Sequence, residues 1–266
     1  MTLIQPDELA EKETPMAPYD VMAPHYELFV EATDYPRWLA GLLALAVDHG
    51  ARDGRALDVG CGTGRSLEAL LAAGFDAAGC DPSTGMMALA RERLGPDVDL
   101  QTAALPDVAS GPPVNLITAI NDIINCVPPS DLDASIAALA GRLAPGGVLL
   151  FDANTPLTFS GFFGRTFCRG NDEVFLVWQS LLDRDEEGGY CADLHAFTAD
   201  PDRFGSWTRA VTHHVQHHHP HERMVAALAS AGLELRLVMG QRDDGPRDSF
   251  CDETIHTKRV YVARLP

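Results

Sequence analysis

No apolar run in this chain of 266 residues approaches the length of a membrane-spanning helix, and the opening Met1-Thr2-Leu3-Ile4-Gln5-Pro6-Asp7-Glu8 has neither the basic nor the apolar stretch of a secretory signal. A cytoplasmic protein without a membrane partner is expected. Cysteine is sparse. Cys61, Cys80, Cys126, Cys168, Cys191 and Cys251 form no C-x-x-C pair, which fits reduced thiols better than a zinc site or a disulfide framework. Positive charge is also scarce, with 20 Lys and Arg against 38 Asp and Glu and a formal net charge of −18. Nucleic-acid binding draws much of its affinity from basic side chains on phosphates, so a nucleic-acid partner is not expected. The acidic balance keeps the surface solvated and mildly favours a cationic small molecule.

What is present suits one α/β domain with an insertion, or two small domains. The chain is organised around Arg55-Ala56-Leu57-Asp58-Val59-Gly60-Cys61-Gly62-Thr63-Gly64, an apolar strand that ends in a glycine turn and enters a helix. Glycines at every second position let a ligand lie against the main chain at the helix start. A dinucleotide fingerprint would need a small residue where this sequence has Arg65. The next strand, Phe75 to Asp81, puts a carboxylate at its tip, where it can accept from both hydroxyls of a ribose. The plain alternative is a strand-turn-helix whose glycines are only structural.

Asp58, Gly60, Gly62, Gly64 and Asp81, with Asp81-Pro82-Ser83 opening a helix that carries Met86 and Met87, resemble the class I S-adenosylmethionine-dependent methyltransferases. The resemblance implies a Rossmann-like seven-stranded sheet with helices on both faces and the last strand antiparallel, and S-adenosylmethionine as cofactor with S-adenosylhomocysteine as product. It places the ribose on Asp81 and the adenine beside Pro82 and Met86. Where relatives have Gly-Asp after the third strand this chain has Ala103-Ala104, which leaves the adenine amine to backbone groups of Ala104 and Leu105, or to Asp107. Tyr19, Tyr26 and Tyr35 stand where a helical lid closes over the methionine end and the acceptor in the glycine N-methyltransferase and aminosugar dimethyltransferase type. These aromatics could equally dock the segment on the core.

The apolar spacing predicts a helix from Trp38 to Gly50, helices ending at Gly74 and Gly95, a third strand from Val98 to Thr102 and a fourth from Val114 to Ile120. Asn121, Asp122 and Asn125 follow the fourth strand and border the methyl group and acceptor, since ligands of open α/β sheets bind at carboxyl ends of strands. Asn121 also faces the cofactor. Ser130 and Asp133 occupy capping-box positions for a helix to Leu143, and the fifth strand runs from Val148 to Asp152. Three antiparallel strands, around 174 to 178, 190 to 197 and 208 to 215, then interrupt the alternation as an inserted β cap over the active site. Pro220 opens a helix as its first residue, and Leu233 to Met239 and Thr257 to Arg264 complete the sheet. The division expected is an arm over 1–16, a lid and first helix over 17–54, a cofactor core over 55–152, a roof over 153–219 and the rest of the core over 220–266.

Six of ten histidines lie between His213 and His221. Strand geometry splits them between faces and no ligand set completes a tetrahedral shell, so no metal is expected. His214 and Gln216 match a His-x-Gln pattern of related sequences, which would point His214 under the roof. His195 is a second candidate there, and the default for His217, His218, His219 and His221 is a solvent-facing histidine. The reading is methyl transfer to a small molecule, more at an amine than at a hydroxyl or carbon. Tyr19, Tyr26, Asp122, Asn125, His214 and His195 are the acceptor-side residues; Tyr26, Tyr35, Asp58, Gly60, Gly62, Gly64, Asp81, Pro82, Met86, Ala104, Leu105 and Asn121 hold the cofactor. O-methylation with a histidine base, an adenosyl-ligand binder without turnover and a dehydrogenase stay open beside it, as does a homodimer.

Overall fold

Strands and helices alternate from Arg55 to Asn154 in the computed structural model, which describes residues 19–30, 35–242, 245 and 247–266, with Phe29 by its backbone alone. The arm expected over 1–16 lies outside the described residues. After a turn of 3₁₀ helix at Ala23–His25 come α1 (Tyr26–Val30) and α2 (Tyr35–Asp48). The core follows as β1 (Arg55–Val59), α3 (Arg65–Ala72), β2 (Asp76–Asp81), α4 (Thr84–Leu94), β3 (Leu100–Thr102), β4 (Val114–Ala119), α5 (Leu132–Arg142) and β5 (Leu143–Asn154). A one-turn helix α6 (Pro156–Thr158) runs into a π turn at Phe159–Phe163 and then into β6 (Phe167–Gly170), β7 (Val174–Arg184), β8 (Tyr190–Ala199) and β9 (Trp207–Gln216). The chain returns to the core as α7 (His221–Ser230), β10 (Glu234–Gln241), β11 (Arg247–Asp248) and β12 (Lys258–Arg264).

The main sheet has the order β11-β10-β12-β5-β4-β1-β2-β3. Strands β1 to β5 are parallel, and β12 slots between β10 and β5 antiparallel to both. The seven-stranded sheet is therefore present, with the two-residue β11 as an added edge. Near-continuous apolar strands need cover on both faces. Trp38, Leu39, Leu42 and Ala46 of α2 with Leu67 and Leu70 of α3 cover Leu116, Leu150 and Val262 on one face. Leu132, Ile136 and Leu139 of α5 with Met224 and Leu228 of α7 cover Ile117, Leu149 and Phe151 on the other. Phe151 also stacks on its register partner Tyr261, with ring centroids 4.7 Å apart.

Strands β6 to β9 form a separate antiparallel sheet, one strand more than the three expected. Leu176, Trp178, Ala192, Leu194 and Ala196 line its inner face, against Phe159, Phe163 and the lid residues Met22, Tyr19 and Tyr26. Lid and roof thus share one core.

Several local readings change. The third strand begins at Leu100, because Val98 packs under the helix layer instead of pairing. The capping box does not form: α5 takes Asp131 as its N-cap without a side-chain bond, and Ser130 instead pairs with Glu187 through its amide and hydroxyl. Pro220 is the N-cap of α7 and not its first residue. Replacing Phe151 with Ala removes a fully buried ring from the centre of the sheet and is expected to cost about 3–5 kcal/mol in urea denaturation; a loss below about 1 kcal/mol would show that the stacked pair is not part of the stabilising core.

Candidate active site

The glycine turn carries three left-handed residues, Gly60, Gly62 and Gly64, at φ of 71°, 53° and 85°. They differ in what surrounds them. A Cβ on Gly60 would lie 2.2 Å from Ile123 Cδ1, and one on Gly64 would crowd Ala90 and Leu94, whereas one on Gly62 would meet nothing within 4 Å. Gly60 and Gly64 let the core close, and Gly62 leaves one side of the turn open. The amides of Gly60 and Cys61 both donate to the Cys80 carbonyl, which ties the turn to the tip of β2.

At that tip Asp81 accepts from the Gly62 amide at 3.0 Å and the Ser83 amide at 2.9 Å. Burial raises its carboxyl above the ordinary value and the two amides oppose this. Ser83 caps α4 by accepting from the Met86 amide. Asp20 of the lid adds a second carboxylate, accepting from Ser83 Oγ at 2.6 Å and the Gly85 amide at 2.9 Å. Glu27, seven residues further on in α1, meets Thr63, Arg65 and Arg93. The lid is pinned at both points to the helices that leave the turn.

Asp58 is buried, with Ser66 Oγ on one oxygen and Thr118 Oγ1 on the other at 2.6 Å, and burial raises its carboxyl to about 6. It is tied through Ser66 to α3 and through Thr118 to β4. Met86 lies in the first turn of α4. Its side chain is buried, and the apolar surface left exposed beside Asp81 is Pro82. Ala104 is exposed and Leu105 half-buried in the loop after β3. Tyr35 is buried against Trp38, with the Arg65 guanidinium 4.5 Å above its ring.

The carboxyl end of β4 continues into Asn121 and Asp122, the two non-glycine residues with left-handed φ among the described residues, at 67° and 62°. Such residues persist only where the surroundings hold them, at a cost of about 1 kcal/mol or more each. Asp152, fully buried at the end of β5, accepts from both of their amides, at 2.9 and 2.6 Å. Lys258 lies 2.9 Å from Asp122 Oδ1 and 3.5 Å from Asp152 Oδ1, and Gln216 of the roof donates to the other Asp122 oxygen. Burial alone would lower the Lys258 ammonium, but the two carboxylates outweigh it and hold it above the usual lysine value. Asn121 Nδ2 donates to Tyr26 Oη at 3.2 Å, and burial pushes that phenol up to about 12. Tyr19 stands beside Cys126 and Asp122 and packs edge-on against His214, with centroids 5.1 Å apart.

The structure therefore brings Tyr19, Tyr26, Asn121, Asp122 and His214 together and separates two other candidates from them. Asn125 has no exposed surface; its amide nitrogen donates to the His217 carbonyl at 2.7 Å and its oxygen accepts from the Asn154 amide at 2.8 Å. It staples the roof to the core and is not open to an acceptor. His195 alternates with the inner-face residues Leu194 and Ala196, so it lies on the outer face of the roof, between Gln179 and Arg209. His217 and His219 are buried and not solvent-facing. His217 pairs with Asp185, and His219 bonds the Ile124 and Val127 carbonyls. No three potential ligands gather to hold a metal among the described residues. Residue patterns missed Asp152, Lys258, Asp20 and Glu27. The available signal for two of them was a charge at the end of an apolar strand, as in Phe151-Asp152, and a lysine in a chain that has only Lys12 and Lys258.

The turn, the acid at the tip of β2 and the polar end of β4 line one edge of the sheet. Residues 56–147 match the family model described as a methyltransferase domain. The chain carries a methyltransferase domain over residues 56–147. It is 27% identical over 215 residues, 78% of this chain and 80% of the relative, to dTDP-3-amino-3,6-dideoxy-α-D-glucopyranose N,N-dimethyltransferase of Streptomyces fradiae. A solved S-adenosylmethionine-dependent methyltransferase from Clostridium acetobutylicum superposes with a TM-score of 0.77 at 22% identity, covering 93% of this chain and 98% of its own. An amino pentose methyltransferase from Micromonospora echinaspora, solved with S-adenosylmethionine bound, gives 0.66 at 20% identity, with 96% and 100% covered. The fold and cofactor class read from Asp58 to Asp81 agree with these findings. The methyltransferase domain also fits an adenosyl ligand on its own geometry, since the side of the turn at Gly62 is open and Asp81 faces it with lone pairs left over from its two amides.

For Asn125, the buried bonds make the expectation structural. Asn125→Ala leaves a carbonyl and an amide unpartnered, at about 1–3 kcal/mol each, so chemical denaturation should show a loss of about 2 kcal/mol or more. Unchanged stability with reduced turnover would return Asn125 to the acceptor site.

Proposed function

We propose that this methyltransferase transfers methyl from S-adenosylmethionine to an amine nitrogen of a small, sugar-like or secondary-metabolite acceptor. The observation that carries the reading is the hydrogen-bonded, ion-paired carboxyl group of Asp122 at the carboxyl end of β4, next to the lid tyrosines and on the same sheet edge as the glycine turn. The similarity to an aminosugar N,N-dimethyltransferase supports it. When bound, S-adenosylmethionine supplies an electrophilic methyl carbon, which an amine lone pair takes in line as the electrons of the carbon–sulfur bond stay with sulfur.

The protein's share is binding, orientation and exclusion of water. Asp81 receives the ribose hydroxyls, the turn from Gly60 to Gly64 lies along the ligand, and Pro82 with the backbone at Ala104 and Leu105 borders the adenine. Asn121, Tyr26 and Tyr35 close the methionine end. Tyr19, Tyr26, Asp122 and His214 face the acceptor. Lid and roof share a core over this cavity, which favours a dry site where reactants are held at near-attack distance.

An O-methyltransferase would need a base to take a hydroxyl proton, and neither histidine suits that work. His195 is on the outer face of the roof. Burial, with a smaller push from His213, lowers the His214 imidazole to about 4, and Thr212 Oγ1 shares its Nε2 at 2.9 Å. An amine acceptor needs no strong base once neutral.

Mass-spectrometric screening of amines, sugars and phenols for a gain of one methyl mass tests the reaction; turnover confined to phenols would overturn the amine reading. For the cofactor, Asp81→Asn is expected to weaken S-adenosylmethionine binding about ten- to a thousandfold, since a charge-assisted bond contributes about 1.5–3 kcal/mol. Calorimetry that finds wild-type affinity in a folded variant would remove the ribose from Asp81.

A further inference from the structure

The cation beside the acceptor cavity is a lysine in a chain that otherwise uses arginine almost throughout. Lys258 is the first residue of β12 and pairs in register with Asn154, the last residue of β5, two residues beyond Asp152. Its side chain is 12% exposed. Its ammonium lies 2.9 Å from Asp122 Oδ1, 3.3 Å from Asn121 Oδ1 and 3.5 Å from Asp152 Oδ1. Three protons meet three converging oxygens, an arrangement for a compact ammonium and not for a planar guanidinium fork.

Two consequences follow from this geometry. The left-handed Asn121–Asp122 turn is gripped twice, by Asp152 through its amides and by Lys258 through its side chains. The cluster sets two carboxyl groups against one ammonium, with burial raising the Asp152 carboxyl and Lys258 and the two turn amides opposing that. The groups facing it are Asn121, Tyr19 and Tyr26, Cys126, Gln216 and, at longer range, Asp81 and Arg247. Asp122 keeps 22% of its side chain exposed while Asp152 keeps none, so the carboxyl group open to the cavity is that of Asp122.

We propose that Lys258 is the positioning residue of the acceptor site: it fastens the Asn121–Asp122 turn and presents the exposed edge of the Asp122 carboxylate to an acceptor that arrives as a protonated amine and gives one proton up to water before its lone pair attacks. This rests on the amine reading above and narrows it, since an uncharged acceptor would leave that exposed edge without a charged partner. Lys258 touches neither acceptor nor cofactor; it acts through Asp122.

The test compares wild type, Lys258→Gln and Lys258→Arg by carbon NMR of aspartate carboxyls in the ligand-free protein. In Lys258→Gln one carboxyl of the Asp122–Asp152 pair is expected to take up a proton at least about one pH unit higher than in wild type, because like charges without a cation resist joint ionisation. Lys258→Arg, which keeps the charge, should stay within about half a unit. Methylammonium chloride, added with S-adenosylhomocysteine present, should move the Asp122 resonance in wild type and leave that of buried Asp152 in place. Calorimetry should find S-adenosylhomocysteine affinity within about threefold of wild type in Lys258→Arg, which keeps the charge beside the turn. Identical titration in Lys258→Gln and wild type, or no methylammonium response at Asp122 in wild type, or equal loss of cofactor affinity in Lys258→Arg and Lys258→Gln would each overturn the role. None of these readouts needs turnover, so failure to find a methylated amine would count against the reaction and leave the Lys258 result to stand or fall separately.

Discussion

A carboxylate with no exposed surface has to be surrounded by donors, and Asp152 meets that requirement by drawing three parts of the chain together. Two amides arrive from the end of β4 and an ammonium from the start of β12. Removing any of them would leave charge buried without compensation, which costs more than the pair contributes when whole. The left-handed backbone of Asn121 and Asp122 is the form in which both amides reach that carboxyl group here. The position of Asp122, on which the proposed acceptor site rests, is set by the carboxyl group of Asp152 that receives its amide.

The cofactor side obeys a different logic. There the decisive atoms are main-chain ones, and the side chains beneath them keep the backbone in place. Asp58 ties Ser66 to Thr118, Gly60 makes room for Ile123, and Asp81 orients the amides of Gly62 and Ser83. Because the contacts of Asp58 with Ser66 and of Asp81 with Gly62 and Ser83 lie within a strand, its turn and the next strand, they leave a local pattern of glycines and acids. That is why fold class and cofactor were legible from Asp58 to Asp81, and why the seven-stranded sheet with its antiparallel last strand followed from the resemblance those residues carry.

The acceptor side was legible only in part, for reasons of distance along the chain. Asp122 and Tyr26 stood out because they flank recognisable elements, but Lys258 and Gln216 reach Asp122 from 136 and 94 residues away. No spacing rule links them. Asn125 was misjudged because polarity near a strand end reads the same for an open side chain as for one that bonds the His217 carbonyl and the Asn154 amide. His195 was misjudged because periodicity of two assigns faces but does not say which face turns inward. The buried histidines show the same limit. His217 and His219 look like surface residues until Asp185 and the Ile124 and Val127 carbonyls are placed beside them.

The roof is one uninterrupted stretch of chain, β6 to β9, that leaves the main sheet after Asn154 and rejoins it through α7. None of its strands is interleaved with the strands that carry the glycine turn and Asp81. It touches the catalytic edge through a small number of side chains, above all Gln216 on Asp122 and His214 under Tyr19. Such a layout makes the acceptor module interchangeable. Substitutions, and even changes of length in the hairpins, can reshape what the cavity admits while the machinery that handles the methyl donor is inherited intact, so this architecture can diversify its chemistry piecemeal along one segment of the gene.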